Sequence, residues 1–186
     1  MSSKSFIENN IEKILKTKNL TIYSVSKEIK VKDNALYEMV KGRSKFSDKF
    51  MKKILPILEV SKEEFQSWVL ADKYSKELLE LAIQAKKDFP YKRKSILTTK
   101  IDTILEHAGM SRTALAKQIK YSQSGLNRMI IGQISMSKPV LKKVAETLEI
   151  PENEILSWIL ADKYLLQVLE MAVASSLKQK DVGLIE

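Results

Sequence analysis

The 186-residue chain is 44% hydrophobic and 30% charged, has no cysteine, and carries a formal net charge of +9. Without thiols there is no disulfide and no zinc or iron–sulfur site built on thiolates, so an intracellular, cytoplasmic location is expected. No apolar run approaches the ~18–20 residues that span a bilayer, the first residues lack an apolar leader, and the basic balance points to a polyanionic partner rather than a membrane.

The helical elements come in two sets. Slid against itself by ninety positions, the chain aligns residues 5–86 with 95–176 without a gap, and 26 of the 82 pairs are identical. A period this long is a whole small domain. The expected division is therefore a first domain over 1–88, a basic linker over 89–94 and a second domain over 95–186, each of ~90 residues and able to bury its own core. Charge is not shared evenly. Residues 1–95 hold 21 Lys and Arg against 13 Asp and Glu, and 96–186 hold 11 against 10.

Few glycines and prolines and an apolar spacing of three and four predict an all-α fold. The first helix opens at Ser5, with Glu8 completing a capping-box pattern, and presents Ile7, Ile11, Ile14 and Leu15; its counterpart presents Leu97, Ile101, Ile104 and Leu105. The second helix starts at Thr21 or Ser111 and buries Val25 and Ile29, or Leu115 and Ile119. The third carries Leu36, Met39 and Val40, or Leu126, Met129 and Ile130, and stops before Gly42 or Gly132, the usual left-handed stop. The fourth is capped by Ser47 or Ser137; Pro56 removes one backbone hydrogen bond from the first of them and predicts a kink or an early end. The fifth begins near Ser61-Lys62-Glu63-Glu64, a second capping-box pattern, or Pro151-Glu152. It runs through Trp68 or Trp158 toward a further amphipathic stretch, Tyr74 to Ala85 and Tyr164 to Ser175.

Leu20-Thr21, Val25-Ser26, Ile29, Val31, Leu36, Met39 and Gly42 resemble the helix-turn-helix core of the phage-repressor family, the Cro-like, lambda-repressor-like or XRE regulators. The second copy is closer, through Met110-Ser111-Arg112-Thr113-Ala114-Leu115-Ala116-Lys117-Gln118-Ile119 and the Ser122-Gln123-Ser124-Gly125 opening of its third helix. The resemblance covers roughly 60 residues of each copy and implies two homologous five-to-six-helix lambda-repressor-like domains in tandem. It also implies that each third helix enters a major groove while the second lies across the phosphates. The family usually has glycine in the turn between these helices, where Lys30 and Lys120 stand, so a strained or altered turn is expected.

For the second copy this assigns base reading to Ser122, Gln123, Ser124, Asn127 and Arg128, because Gln and Asn pair with adenine and Arg with guanine. Arg112 is assigned to a phosphate or to bracing the third helix. The first copy offers Lys32, Asn34 and Tyr37 on the third helix, among the acids Asp33 and Glu38, then Lys41, Arg43 and Lys45 around the glycine for backbone contacts. The copies thus look complementary, one richer in phosphate binders and the other in base readers.

Trp68 and Trp158 read as core; Asp72 and Asp162 as local caps or partners of the adjacent lysines; His107, the single histidine, as an exposed helix end. Lys52-Lys53 and Lys142-Lys143 read as a solvated face or a phosphate contact. Tyr74, Leu78, Leu81, Tyr164, Val168 and Met171 offer a seam for packing copy against copy or for a homodimer. No acid, base or nucleophile set recurs in both copies, so neither an enzyme nor a cofactor is expected. The sequence favours a double-stranded DNA-binding repressor of a phage, plasmid or mobile element, docking two linked recognition helices about 34 Å apart on an inverted-repeat operator. The rival is a protein-binding module, an antitoxin or a phage inhibitor of host defence, favoured by Asp33 and Glu38.

Overall fold

In the computed structural model the described residues, 5–41, 43–89 and 95–182 with side chains as far as Leu177, form helices joined by short turns, with no strand among them. The helices are α1 (Phe6–Thr17), α2 (Ile22–Glu28), α3 (Asp33–Val40), α4 (Asp48–Leu58), α5 (Lys62–Lys73), α6 (Lys76–Asp88), α7 (Ile96–His107), α8 (Arg112–Gln118), α9 (Gln123–Ile130), α10 (Lys138–Leu148), α11 (Glu152–Lys163) and α12 (Leu166–Val182). The chain divides into two compact units, one of Met1–Lys76 with Glu170–Glu186 and one of Glu77–Leu169. Residues 90–94, most of the basic linker, and Gly42 lie outside the described residues.

The hydroxyl caps sit where the sequence places them except at Ser137, which precedes α10 without a side-chain bond to it. Ser5, Thr21, Ser47 and Ser61 each accept a hydrogen bond from the amide three residues on, as do Ser95, Ser111 and Ser122. Two expected capping boxes are one-sided: Glu8 and Glu64 supply the backbone amide but do not return a side-chain bond. The reciprocal box forms at α2 instead, where Ser24 Oγ accepts from the Thr21 amide. Pro56 neither shortens nor displaces its helix: α4 ends at Leu58 as α10 ends at Leu148, because a proline so near the end removes only one bond.

In the first unit the core is Ile7, Ile11, Leu15, Val25, Ile29, Leu36, Val40, Phe50, Ile54, Leu58, Phe65 and Trp68. Each of these has a buried residue ninety positions on: Leu97, Ile101, Leu105, Leu115, Ile119, Leu126, Ile130, Val140, Val144, Leu148, Ile155 and Trp158 form the core of the second unit. Removing each such side chain from water contributes about 1.5–3 kcal/mol. The same helix pairs close both units, α5 against α1 and α11 against α7. α6 belongs to the second unit, where Lys86 Nζ donates to the Ala161 carbonyl and Lys100 lies over the Phe89 ring at 5.2 Å. Of the expected seam residues Leu78 and Val168 are buried and Leu81 is exposed, while Lys73 and Lys163 cover the Tyr74 and Tyr164 rings. No helix among the described residues is long and apolar enough to cross a membrane.

The turns repeat as closely as the core. Left-handed residues stand at Asn19 and Gly109, at Lys30 and Lys120, and at Glu59 and Glu149. Each is followed by an amide that reaches back five residues, as Val31 does to the Ser26 carbonyl at 3.0 Å and Tyr121 to Ala116 at 2.9 Å. Such a reach-back bond closes a helix only if the residue before it takes positive φ. The turn between α2 and α3 therefore keeps the conformation that glycine favours, with lysine in it at φ 54° and 52°. A Cβ there costs roughly 1–2 kcal/mol, partly offset by the greater freedom of glycine in the unfolded chain. Lys120→Gly is accordingly expected to raise stability by about 0.5–1 kcal/mol in chemical denaturation, and an unchanged or lower midpoint would refute the strain.

Candidate nucleic-acid interface

In the second unit α8 and α9 pack together across the four residues 119–122. α9 buries Leu126, Met129 and Ile130 and leaves Gln123 in its first turn, Ser124 and Arg128 exposed. Ser122, also exposed, spends its hydroxyl on the Gly125 amide at 3.2 Å. Asn127 is half-buried, and its Oδ1 is enclosed without a hydrogen-bond partner. A Cβ at Gly125 would stand 2.7 Å from Ser122 Oγ and 2.8 Å from the Tyr121 ring, so one of those side chains would have to shift. The half-exposed Tyr121 thus flanks the first turn of α9, a neighbour that apolar spacing gives no hint of. Past the helix, Gly132 takes φ 76° as expected of a glycine stop.

Arg112, half-buried, pairs with an acid of the preceding helix. Its Nε and Nη2 each reach one oxygen of Asp102 at 2.8 Å, a bidentate pair that braces α8 against α7. The paired lysines likewise have one structural member each: Lys53 Nζ donates to the Ile29 carbonyl at 2.8 Å and Lys143 Nζ to the Ile119 carbonyl at 3.4 Å, closing the ends of α2 and α8. Lys52 and Lys142 remain exposed. His107 ends α7 in solvent.

The first unit presents a different face from the same elements. Lys32, Asn34 and Lys45 are exposed, and so are Tyr23 at 56% and Tyr37 at 42%, where the second unit has Thr113 and Asn127. Lys27 lies over the Tyr23 ring at 4.5 Å. Two of the three cations expected around Gly42 are already paired. Arg43 Nη1 bonds Glu38 at 3.0 Å, and Lys41 bonds Glu8, which is only 4% exposed.

The Glu8 pair raises the Lys41 ammonium above the ordinary lysine value, chiefly through the hydrogen bond from Lys41 to that carboxylate. A raised lysine contributes its full stabilisation below the ordinary lysine range and loses it as pH climbs through the higher folded value, so the pair is intact at neutral pH. The second unit fills the same positions with Thr98 and Ile131; Thr98 Oγ1 donates to the Ile130 carbonyl at 2.9 Å and needs no cation. That joint change between copies is the signal by which the pair could have been found in the sequence. Lys41→Met strands a buried carboxylate and is expected to lower the melting temperature, whereas Glu8→Thr with Lys41→Ile, the second unit's own solution, restores it. Equal melting of the single and double variants in thermal denaturation would show that the pair is not coupled.

Residues 101–155 match the family model Helix-turn-helix (HTH_3), an XRE-type helix-turn-helix, and the matched span runs from within α7 to within α11. It contains Arg112, Ser122, Gln123, Ser124, Asn127 and Arg128. No curated protein and no solved structure matches the chain.

Proposed function

We propose that the chain is a sequence-specific, double-stranded DNA-binding transcriptional regulator, a cytoplasmic repressor of a phage, plasmid or mobile element that blocks its operator by occupancy. It carries two linked lambda-repressor-like helix-turn-helix units that act as a pseudo-dimer. The observation that carries this reading is α9. In the span matched to a helix-turn-helix family, that helix turns Gln123, Ser124 and Arg128 to solvent, and these are side chains that match base edges in a major groove. The net charge of +9 supplies the attraction to phosphate.

The test is nuclease footprinting on the gene's own upstream region, followed by affinity measurements on the protected site over a range of salt. Gln123→Ala and Arg128→Ala should each cost about 1–3 kcal/mol on that site and relax its specificity, since each removes a base contact. Affinity for any duplex should fall with salt at a log–log slope of about −0.9 per neutralised phosphate. A salt-independent affinity, or no protection of any duplex, counts against DNA binding.

One observation favours the rival protein-binding reading. The first unit exposes Tyr23 and Tyr37 and ties up Lys41 and Arg43 within the chain, a surface chemistry common where proteins meet proteins. Under that reading the chain is an antitoxin or an inhibitor of a host defence protein, and alanine at Tyr23 and Tyr37 abolishes partner capture without touching duplex affinity.

A further inference from the structure

Resting on the DNA-binding reading, we infer that base reading is confined to the second unit: the operator carries one conserved block, contacted by α9, and no second block read by α3. Position by position the two helices are matched, and their exposed chemistry is not. Where α9 has Gln123, Asn127 and Arg128, α3 has Asp33, Tyr37 and Glu38. Gln and Arg offer the paired donors that fit adenine and guanine. An acid in the same place brings negative charge toward phosphates.

The ion pairs sharpen this contrast. Glu38 lies beside Arg43 at 3.0 Å in an exposed pair, so the carboxylate and the guanidinium partly offset each other's charge. Lys41 is held by the buried Glu8 and by its place over the Tyr37 ring at 5.4 Å. The Lys41–Glu8 pair, with its carboxylate buried, costs more to break than the exposed Arg43–Glu38 pair, so Lys41 is the poorer specificity element of the two cations. Exposed cations remain on the first unit, among them Lys30, Lys32 and Lys45, and as point charges they hold a phosphate backbone without distinguishing bases.

Within α9 the structure also ranks the readers. Asn127 is half-buried with its Oδ1 enclosed, so its amide meets a ligand less readily than the exposed side chains beside it. Gln123 and Arg128, both exposed, carry the bidentate contacts.

Selection of preferred duplexes from a random pool tests the inference in three forms of the full chain: wild type, Gln123→Ala with Arg128→Ala, and a graft of Asp33→Gln, Tyr37→Asn and Glu38→Arg that gives α3 the second unit's readers. Wild type should select one block. The double alanine variant should lose it, with preference for that duplex over a scrambled one falling about tenfold or more while salt-sensitive binding persists. The graft should acquire a second block resembling the first. Two blocks in the wild-type selection, a block that survives the double alanine change, or a folded graft that gains nothing would each overturn the confinement while leaving DNA binding standing. If folded wild type retains no duplex even at low salt, the DNA reading fails first and takes this inference with it.

Discussion

Trp68→Ala and Trp158→Ala should each lower the unfolding free energy by about 3–5 kcal/mol, with the Trp68 change nearer the upper end. Both indoles are buried, at 5% and 3% exposure, on the helix that closes each unit against its first helix. Truncation leaves a void that close-packed neighbours fill only in part, and the cost follows the volume left open. The two surroundings differ. Trp68 sits 5.8 Å from the Phe65 ring, which meets Phe46 edge-on at 4.9 Å, and Phe46 in turn stands 5.7 Å from Phe50. At the corresponding positions the second unit has Ile155, Met136 and Val140. A ring pair contributes about 0.5–1.5 kcal/mol beyond its buried area, and a thioether or branched aliphatic side chain relaxes into a void more readily than a stack of rings. Chemical denaturation of both variants measures the difference. A variant that melts like wild type yet loses an association would make its tryptophan an interface residue and contradict the packing seen here.

Period and capping made most of each unit legible in the sequence. Apolar residues at three and four place α1 to α5 and α7 to α11 within a residue or two, with a hydroxyl before most of the runs though not before α3, which follows Lys32, or α11, which follows Pro151, because local hydrogen bonding and one buried face decide a helix of this length. The reading failed where a side chain had two possible partners and the better one was far along the chain. Ser5 and Glu8 spell a capping box, but the carboxylate answers Lys41, 33 residues away, since a buried acid gains more from a cation than from an exposed amide. Lys41 and Arg43 read as phosphate binders by charge and spacing alone, which give no sign that Lys41 pairs with the buried Glu8 and Arg43 with the exposed Glu38. Lys30 and Lys120 show the opposite case: an unfavourable residue does not alter the turn when the helices on either side, packed together, leave the backbone no other path. Nor does periodicity say which unit an amphipathic helix joins, and so the place of α6 in the second unit was invisible to it.

Asp72→Ala and Asp162→Ala should cost about 2–3 kcal/mol each, more than a surface aspartate warrants, because each carboxylate is the N-terminal cap of a distant helix. Asp72 accepts from the amides of Phe6 and Ile7 at 2.6 and 2.9 Å, and Asp162 from those of Ile96 and Leu97 at 2.9 and 3.0 Å. The first turn of a helix leaves its amides without partners in the chain, and a negative charge placed there answers both the missing bonds and the helix dipole. The partners are 65 and 66 residues apart, so each bond also ties the closing helix, α5 or α11, to the opening one, α1 or α7. This accounts for the densest block of identity between the copies, Ser67 to Tyr74 against Ser157 to Tyr164. Within it the serine hydroxyl bonds the carbonyl three residues back, the tryptophan and leucine are core, the aspartate caps, and the lysine covers the tyrosine ring. Asn at either position keeps one acceptor oxygen and loses the charge, so its cost should fall to about 1 kcal/mol, giving the order wild type, Asn, Ala in denaturation midpoint. Of the two sites Asp162 should cost more, because Ile96 and Leu97 are both buried and their amides, once released, have less water to turn to. Amide exchange in the first turn of α1 or α7 should rise in the matching variant before the rest of its unit responds. Alanine variants with the wild-type midpoint and unchanged exchange in that turn would remove the cap from the account of why this block is repeated.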